Sequence, residues 1–254
     1  MKHLLYIPFL LLVFWAVSCV NGEKHVIEAI DNQEETHEII QSVEPEQAIH
    51  VIDTTVIDHI CVYEDHVFFS QPVPDEVKAR MKGKSMKDQT HIGYDDLRYL
   101  TLPYYDFDGE VQSGEMVCHK TIAEDLVHIF RDLFAARYPI ASIRLVDDFD
   151  ADDEASMQAN NTTCFNYRYI SGTTMLSKHA FGLAVDINPL QNPCVRGNHV
   201  QPKTALDFVD RNKDFPHKID EGDLCKRLFT ARGFRWGGHW QGKKDWQHFE
   251  KRVK

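Results

Sequence analysis

The chain has 254 residues, of which 43% are hydrophobic and 26% charged, and this ordinary mixture excludes a wholly disordered or collagen-like protein. The net charge of −11 is unevenly spread: residues 20–60 hold ten Asp or Glu and one Lys, and residues 61–254 have a net charge of only −3. Because that body lacks the basic surface that nucleic-acid binding requires, we expect no nucleic-acid partner.

The N-terminus has the pattern of an export signal. Lys2 precedes an apolar run from Leu4 to Val17, which is shorter than the ~20 residues of a membrane-spanning helix. Residues 1–18 are therefore predicted to be a signal peptide. Cys19, which follows small residues, resembles the lipidated residue of a bacterial lipoprotein, whereas the alternative is an ordinary signal peptide cut near Ser18 or Gly22. Lipidation at Cys19 predicts a membrane-anchored protein of the cell envelope, facing the periplasm or the cell exterior.

The acidic segment at 19–60 lacks Phe, Tyr and Trp, and is predicted to be a tether between the membrane and a domain at 61–254. The elements predicted for the first half of that domain are, in chain order, a strand at 67–69, a helix at 75–81 ended by Gly83, a strand at 97–102 and a turn at 106–109.

The clearest predicted helix runs from about residue 122 to 137 and stops before Pro139. Thr121 and Glu124 have capping-box spacing at its start. A strand at 143–145 and a helix at 223–232, with Gly233 as its C-cap, follow. This order of elements predicts one α+β domain of about 190 residues.

Two segments carry residues suited to metal chemistry. The first, residues 177–188, places His179 and Asp186 seven residues apart with Gly182 between them, and the second, residues 245–249, places Asp245 three residues before His248. The second pair could share a face of a helical turn or converge in a looser turn. Two imidazoles and one carboxylate, with water in the fourth position, are typical of a catalytic zinc site.

Each residue also has an ordinary interpretation. A lone His179 is more often a surface or hydrogen-bonded residue, and Asp245 with His248 could be a solvated pair. Asp186 lies in an apolar stretch and needs a partner, because an unpaired buried charge is costly, but a metal is only one candidate. The residues alone leave these alternatives open.

Taken together, the two segments resemble the zinc peptidases of the D-alanyl-D-alanine carboxypeptidase (M15) group. The pattern Ser-x-His-x-x-Gly-x-Ala-x-Asp, followed by an acid three residues before a final His, is matched at every position. The resemblance spans roughly residues 67–250, with flanking matches at 107–109, 165–168, 187–189 and 236–238.

The resemblance implies that His179, Asp186 and His248 bind one Zn²⁺ per chain and that Asp245 is the general base. It implies a hedgehog/DD-peptidase-like α+β domain whose antiparallel sheet carries the zinc cleft. The implied substrates are peptidoglycan stem peptides, cut by carboxypeptidase, dipeptidase or endopeptidase action, and we expect a monomer.

Two further residues are candidates through the resemblance. Arg168 would polarise the substrate carbonyl or hold a carboxylate, since its guanidinium suits an oxyanion. The alternative is a structural ion pair with one of the acids at 147, 148, 150, 152 or 153. Ser177 would orient the site or contact the substrate, or would simply bond nearby backbone in a turn.

The other histidines and the cysteines give weaker signals. His199, His217 and His239 are expected to face solvent. Cys164 and Cys194 flank the first segment and are hypothesised to form a disulfide, which export would permit.

Two other functions compete with the peptidase. One is a non-catalytic, zinc-containing wall-binding lipoprotein, against which the intact Asp245 argues. The other is a His-rich metal-binding lipoprotein.

Overall fold

The structure is a computed structural model that describes residues 18–20, 23–25 and 56–253, and it contains one unit at 1–51 and a second at 52–254. In the first unit, β1 (Ser18–Val20) pairs antiparallel with β2 (Glu23–His25), with Cys19 opposite Lys24. The rest of the predicted signal peptide and most of the tether lie outside the described residues. The leader, the lipidation at Cys19 and the domain boundary at 61 stay predictions. The helices in the described part of the chain are all too short or too polar to span a membrane.

The second unit opens with a four-stranded antiparallel sheet in the order β3-β4-β5-β6. Its strands are β3 (His59–Tyr63), β4 (His66–Pro72), β5 (Leu97–Tyr105) and β6 (Val111–His119). The helix α1 (Asp75–Met81) lies between β4 and β5 in the chain. The strands predicted at 67–69 and 97–102 and the helix predicted at 75–81 are therefore confirmed.

The strand β6 was not predicted, because its first three residues are exposed, two of them are polar, and the strand shows no alternation of polar and apolar residues. Gly114 lies in its middle, where a Cβ would come within 2.7 Å of the Ile143 Cβ and 2.8 Å of the Leu102 carbonyl oxygen. The glycine thus lets the chain near Ile143 pack directly on the sheet. That chain forms only an isolated bridge between Ile143 and Thr162, so the strand predicted at 143–145 was wrong.

The helix α2 (Lys120–Ala135) packs its apolar stripe against the sheet as predicted. Its start differs from the prediction: His119 is the N-cap, and its Nδ1 accepts a hydrogen bond from the Thr121 backbone N–H at 3.2 Å. The capping box of Thr121 and Glu124 was therefore wrong. The cap begins the helix in the residue after β6, without an intervening loop.

The remaining elements form two small antiparallel sheets and two helices. One sheet has the order β10-β12-β7 and the other β11-β8-β9. Their bounds are β7 (Ala184–Asp186), β8 (Cys194–Arg196), β9 (His199–Gln201), β10 (Arg235–Trp236), β11 (Lys244–Asp245) and β12 (His248–Glu250). The helices are α3 (Asp153–Gln158) and α4 (Leu224–Ala231). The helix predicted at 223–232 is confirmed, with Asp223 as its N-cap and Gly233 at φ +82°.

The unit is thus a mixture of helices and antiparallel sheets, as the predicted α+β class requires. Its five cysteines are free thiols, so the disulfide between Cys164 and Cys194 was wrong. The Cys164 Sγ lies in the core, 3.4 Å from the Gly182 carbonyl oxygen, whereas Cys194 lies in β8 opposite Asp245.

Candidate metal centre

Local backbone structure places the three predicted ligands. Asp186 ends β7 and lies directly opposite His248 in β12, so both side chains share one face of that sheet. His179 lies in a 3₁₀ turn at Lys178–Phe181 that ends at Gly182 with φ +64°. A Cβ on Gly182 would come within 2.6 Å of the His119 backbone nitrogen, so this close turn requires glycine.

The donor atoms of His179, Asp186 and His248 all lie within 4.8 Å of one another. His179 Nε2 is 3.1 Å from Asp186 Oδ2, His248 Nδ1 is 2.9 Å from Asp186 Oδ1, and the two nitrogens are 3.2 Å apart. A tetrahedral zinc with bonds of 2.0–2.1 Å would hold its ligand atoms about 3.3 Å apart. All three residues are buried, and the set therefore fits such an ion with little movement.

Outer contacts fix how the two imidazoles face the centre. His179 Nδ1 donates to the Cys164 carbonyl oxygen at 2.6 Å, which leaves Nε2 for a metal. His248 Nε2 lies 3.6 Å from Glu250 Oε2, and the other Glu250 oxygen accepts a hydrogen bond from Arg235 at 2.8 Å.

The protonation of the candidate ligands is set by their contacts with one another. Burial alone would lower the pKa of His248, but its contacts with Asp186 and Glu250 raise that pKa to about 9. Burial alone would raise the pKa of Asp186, but the interactions with His179 and His248 hold that pKa well below its usual range. A metal ion would replace the proton on His248, because only a neutral imidazole can bind it.

Asp245 lies beside this set but is not part of it. It ends β11, across a tight turn from β12, so the looser of the two predicted arrangements is the one found. Its side chain is buried, with Oδ2 3.0 Å from Lys243 Nζ and Oδ1 without a hydrogen-bond partner among the described residues. Gly237 packs against it, since a Cβ there would come within 2.6 Å of the Asp245 carbonyl oxygen.

Arg168 and Ser177 both lie near this centre. Arg168 Nε is 2.9 Å from Asp153 Oδ1, which is one of the ion pairs foreseen as a structural alternative, and Arg168 also lines the cleft above the ligands. Ser177 Oγ accepts a hydrogen bond from the His179 backbone N–H at 3.3 Å. Ser177 is therefore a turn residue, and the turn that it caps carries a metal-ligand candidate.

The cleft has a volume of about 680 Å³ and contains the ligand set and Asp245 in its lining. Two of the buried polar atoms found without a hydrogen-bond partner in the described chain, Asp245 Oδ1 and Gln247 Oε1, belong to residues that line it. A third, Arg168 Nε, lacks hydrogen-bond geometry but is held in the ion pair with Asp153. Such atoms are costly unless a ligand or water satisfies them. The cleft is thus built to receive a polar molecule.

Among the residues that line this cleft, sequence reasoning missed Lys243, Gln247 and Glu250, and it named Asp153 only as one of five possible partners of Arg168. Glu250 could have been found, because in a strand the residue two positions after His248 points to the same face. Lys243 gave no signal, since its role depends on a contact that the sequence does not show.

The three other histidines lie outside the ligand set. His239 is exposed and hydrogen-bonded to Glu221 at 2.7 Å, and His199 is exposed at the cleft. The expectation for His217 was wrong, because its half-buried ring stacks on Phe107 with centroids 3.6 Å apart.

A buried set of two histidines and one carboxylate, with a separate carboxylate in the same polar cleft, defines a candidate hydrolytic metal centre on a mixed α/β fold. Residues 171–251 match the family described as D-alanyl-D-alanine carboxypeptidase, so this stretch is similar to the M15 peptidases. The family recognition from the two motifs is therefore confirmed. Residues 67–170, including Arg168, lie outside the matched stretch. Neither the curated proteins nor the solved structures gave a match.

Proposed function

We propose that this protein is an exported, lipid-anchored zinc peptidase that hydrolyses bonds next to D-residues in peptidoglycan stem peptides. The observation that carries the proposal is the buried convergence of His179, Asp186 and His248 beside Asp245, inside the stretch that matches the peptidase family. The family supports a peptidase that acts on D-Ala-containing peptides. Zinc and the wall substrate are the finer parts of the proposal.

The donor chemistry suits one zinc ion. When bound, zinc would polarise the scissile carbonyl and lower the pKa of a water molecule towards neutrality. His179 and His248 would each bind the ion through one ring nitrogen, His248 after loss of its proton, and Asp186 would bind through an oxygen, so that a fourth position remains for water.

Asp245 is the proton carrier in this proposal. Its unpartnered Oδ1 accepts the proton of the attacking water and returns it to the leaving amine. Lys243 holds the second oxygen at 3.0 Å, so the carboxylate is fixed in position before the substrate arrives. The ligand set does not use Asp245, which leaves its basicity available.

Arg168 stabilises the oxyanion in the same scheme. The ion pair found for it in the described chain brings Nε to 2.9 Å from Asp153 Oδ1, and a planar guanidinium carries further donors that a substrate oxygen can use. Asp153 thereby positions the guanidinium.

The location of the protein follows from the N-terminal pattern. Lipidation at Cys19 would anchor the chain, and the acidic segment up to residue 60 would separate the domain from the membrane. We infer a monomer that works on stem peptides near the membrane surface.

The test is digestion of purified muropeptides, with the released fragments identified by mass. Zinc-loaded wild type should release a D-amino acid or a D-residue-containing peptide. Chelated protein and His179→Ala should not, and zinc should restore activity only to the chelated wild type.

Two results would contradict the proposal. Zinc-loaded protein that binds muropeptides but leaves them intact would indicate the non-catalytic wall-binding lipoprotein. Several weakly bound ions, in place of one tight zinc, would indicate the metal-binding lipoprotein.

A further inference from the structure

A short hairpin, residues 168–177, forms one rim of the cleft. The Ser177 backbone N–H donates to the Arg168 carbonyl at 3.0 Å, and the Ile170 N–H donates to the Met175 carbonyl at 2.8 Å. Between these bonds Tyr169 and Leu176 form an antiparallel bridge. The hairpin therefore begins and ends at the two residues that the resemblance placed at the substrate.

The hairpin exposes two large side chains with apolar surface. Tyr169 is 56% and Met175 is 62% exposed, and both line the cleft. Side chains of this kind are usually buried, and an exposed aromatic or methionine beside a polar site commonly contacts a ligand.

The base of the hairpin is held by the site itself. Ser177 caps the turn that carries His179, and Arg168 is paired with Asp153. Tyr169 and Met175 each lie within two residues of these fixed points. Their distance from the ligand set is therefore set by hydrogen bonds and an ion pair.

The cleft continues well beyond the ligand set. It runs from Tyr169 and Met175 on the hairpin to His199 and Gln201 on β9. Its volume of about 680 Å³ lies within the ~300–1,000 Å³ of sites that enclose drug-sized ligands. A free dipeptide at the ligand set would fill only part of this volume.

We propose that the hairpin binds the part of the peptide remote from the scissile bond, through apolar contact with Tyr169 and Met175, and thereby selects extended peptides over free dipeptides. This inference rests on the proposed peptidase function. The occupant is the apolar surface of an extended peptide, because the cleft that the two side chains line is continuous with the candidate catalytic centre.

The test compares a stem pentapeptide that ends in D-Ala-D-Ala with the shortest truncation that the wild type still cleaves. The double variant Tyr169→Ala/Met175→Ala should raise KM for the pentapeptide about tenfold, with kcat little changed. KM for the short peptide and the zinc content should not change. Tyr169→Phe, which keeps the ring, should recover most of the affinity that Tyr169→Ala loses.

The matched control is Leu206→Ala, because Leu206 is 68% exposed but does not line the cleft. It should leave both KM values unchanged. An unchanged pentapeptide KM in the double variant, or an equal rise for both peptides, would overturn the inference.

The failure of the peptidase function itself would be recognised separately. If the wild type cleaves no peptide, binding of the pentapeptide to zinc-loaded protein is measured by calorimetry. Weaker binding by the double variant would then support the hairpin as a binding element. Equal binding, or no binding by the wild type, would overturn it.

Discussion

Replacement of Asp245 by Asn tests the proposed chemistry most directly. The side chain is 9% exposed and lies between Gly237 and Lys243, so Asn is the substitution that keeps its shape. Asn cannot accept the proton of water at neutral pH. General acid–base steps contribute about 10²–10⁴-fold, so we expect kcat to fall by that factor, which is roughly 3–5 kcal/mol of barrier.

The same variant should keep its zinc and its fold. Asp245 is outside the ligand set, and its partner Lys243 has a side chain that is 34% exposed, so the lost ion pair should cost about 1 kcal/mol or less. Zinc content by mass spectrometry, unfolding in urea and muropeptide hydrolysis are the three measurements. Asp207→Asn, at an exposed position outside the cleft lining, is the control.

Three results of the Asp245 experiment are informative. Hydrolysis at the wild-type rate would refute the assignment of Asp245 as base. Loss of zinc would show that Asp245 is a ligand, and the role of Asp186 would then be reconsidered. Partial activity of Asp245→Glu would indicate that the base still functions when one added methylene shifts its carboxylate.

Three other predictions follow from the same structure. Metal analysis of the purified protein should find about one zinc per chain, and His179→Ala or His248→Ala should remove that zinc. Stoichiometric zinc in both variants would refute the ligand set. Gly182→Ala should destabilise the protein by about 2 kcal/mol or more, because the alanine would combine a positive φ with a clash against the His119 backbone. The control Gly172→Ala, at φ +75° in open space, should cost only about 1 kcal/mol. Equal urea midpoints for the two variants would contradict this prediction. Burial alone would raise the pKa of Glu115, but hydrogen bonds from Arg80 and Tyr99 lower that pKa in the folded protein. The ionised Glu115 therefore stabilises the fold above the ordinary Glu pKa of 4.5, and this contribution is lost as the pH falls through the lower pKa of the folded state. The stability advantage of wild type over Glu115→Gln should therefore shrink on acidification, and an advantage that grows at low pH in urea titrations would be inconsistent with it.

The ligand candidates could be predicted from sequence because the residue types and spacings that mark them are local. His179 and Asp186 lie in one short segment, and Asp245 and His248 in another. The register that sets Asp186 opposite His248 could not be predicted, because it joins strands 62 residues apart. The strand β6 could not be predicted for a related reason. Its pairing with β5 and its contact with Ile143, and not its own sequence pattern, make it a strand.

Local rules also failed where a different partner was available. Thr121 has the right spacing for a capping box, but the imidazole of the neighbouring His119 accepts a hydrogen bond from the Thr121 backbone N–H. Cys164 and Cys194 flank one motif in sequence, yet one thiol lies in the core and the other in a cleft-lining strand. The motifs therefore predicted which three residues converge, whereas proximity in sequence predicted the disulfide wrongly.

The pairing of β7 with β12 makes the metal centre and the strand register depend on each other. Side chains alternate between the two faces of a strand, so a slip of one residue would turn His248 away from Asp186. A metal bound by residues of both strands would therefore stabilise only the register in which Asp186 lies opposite His248. The chain between the two strands, residues 187–247, is a loop closed by this pair, and its exposed turn at 196–199 can change in sequence while the ligand candidates stay in place. Changes there would alter the lining of the cleft without rebuilding the candidate metal centre.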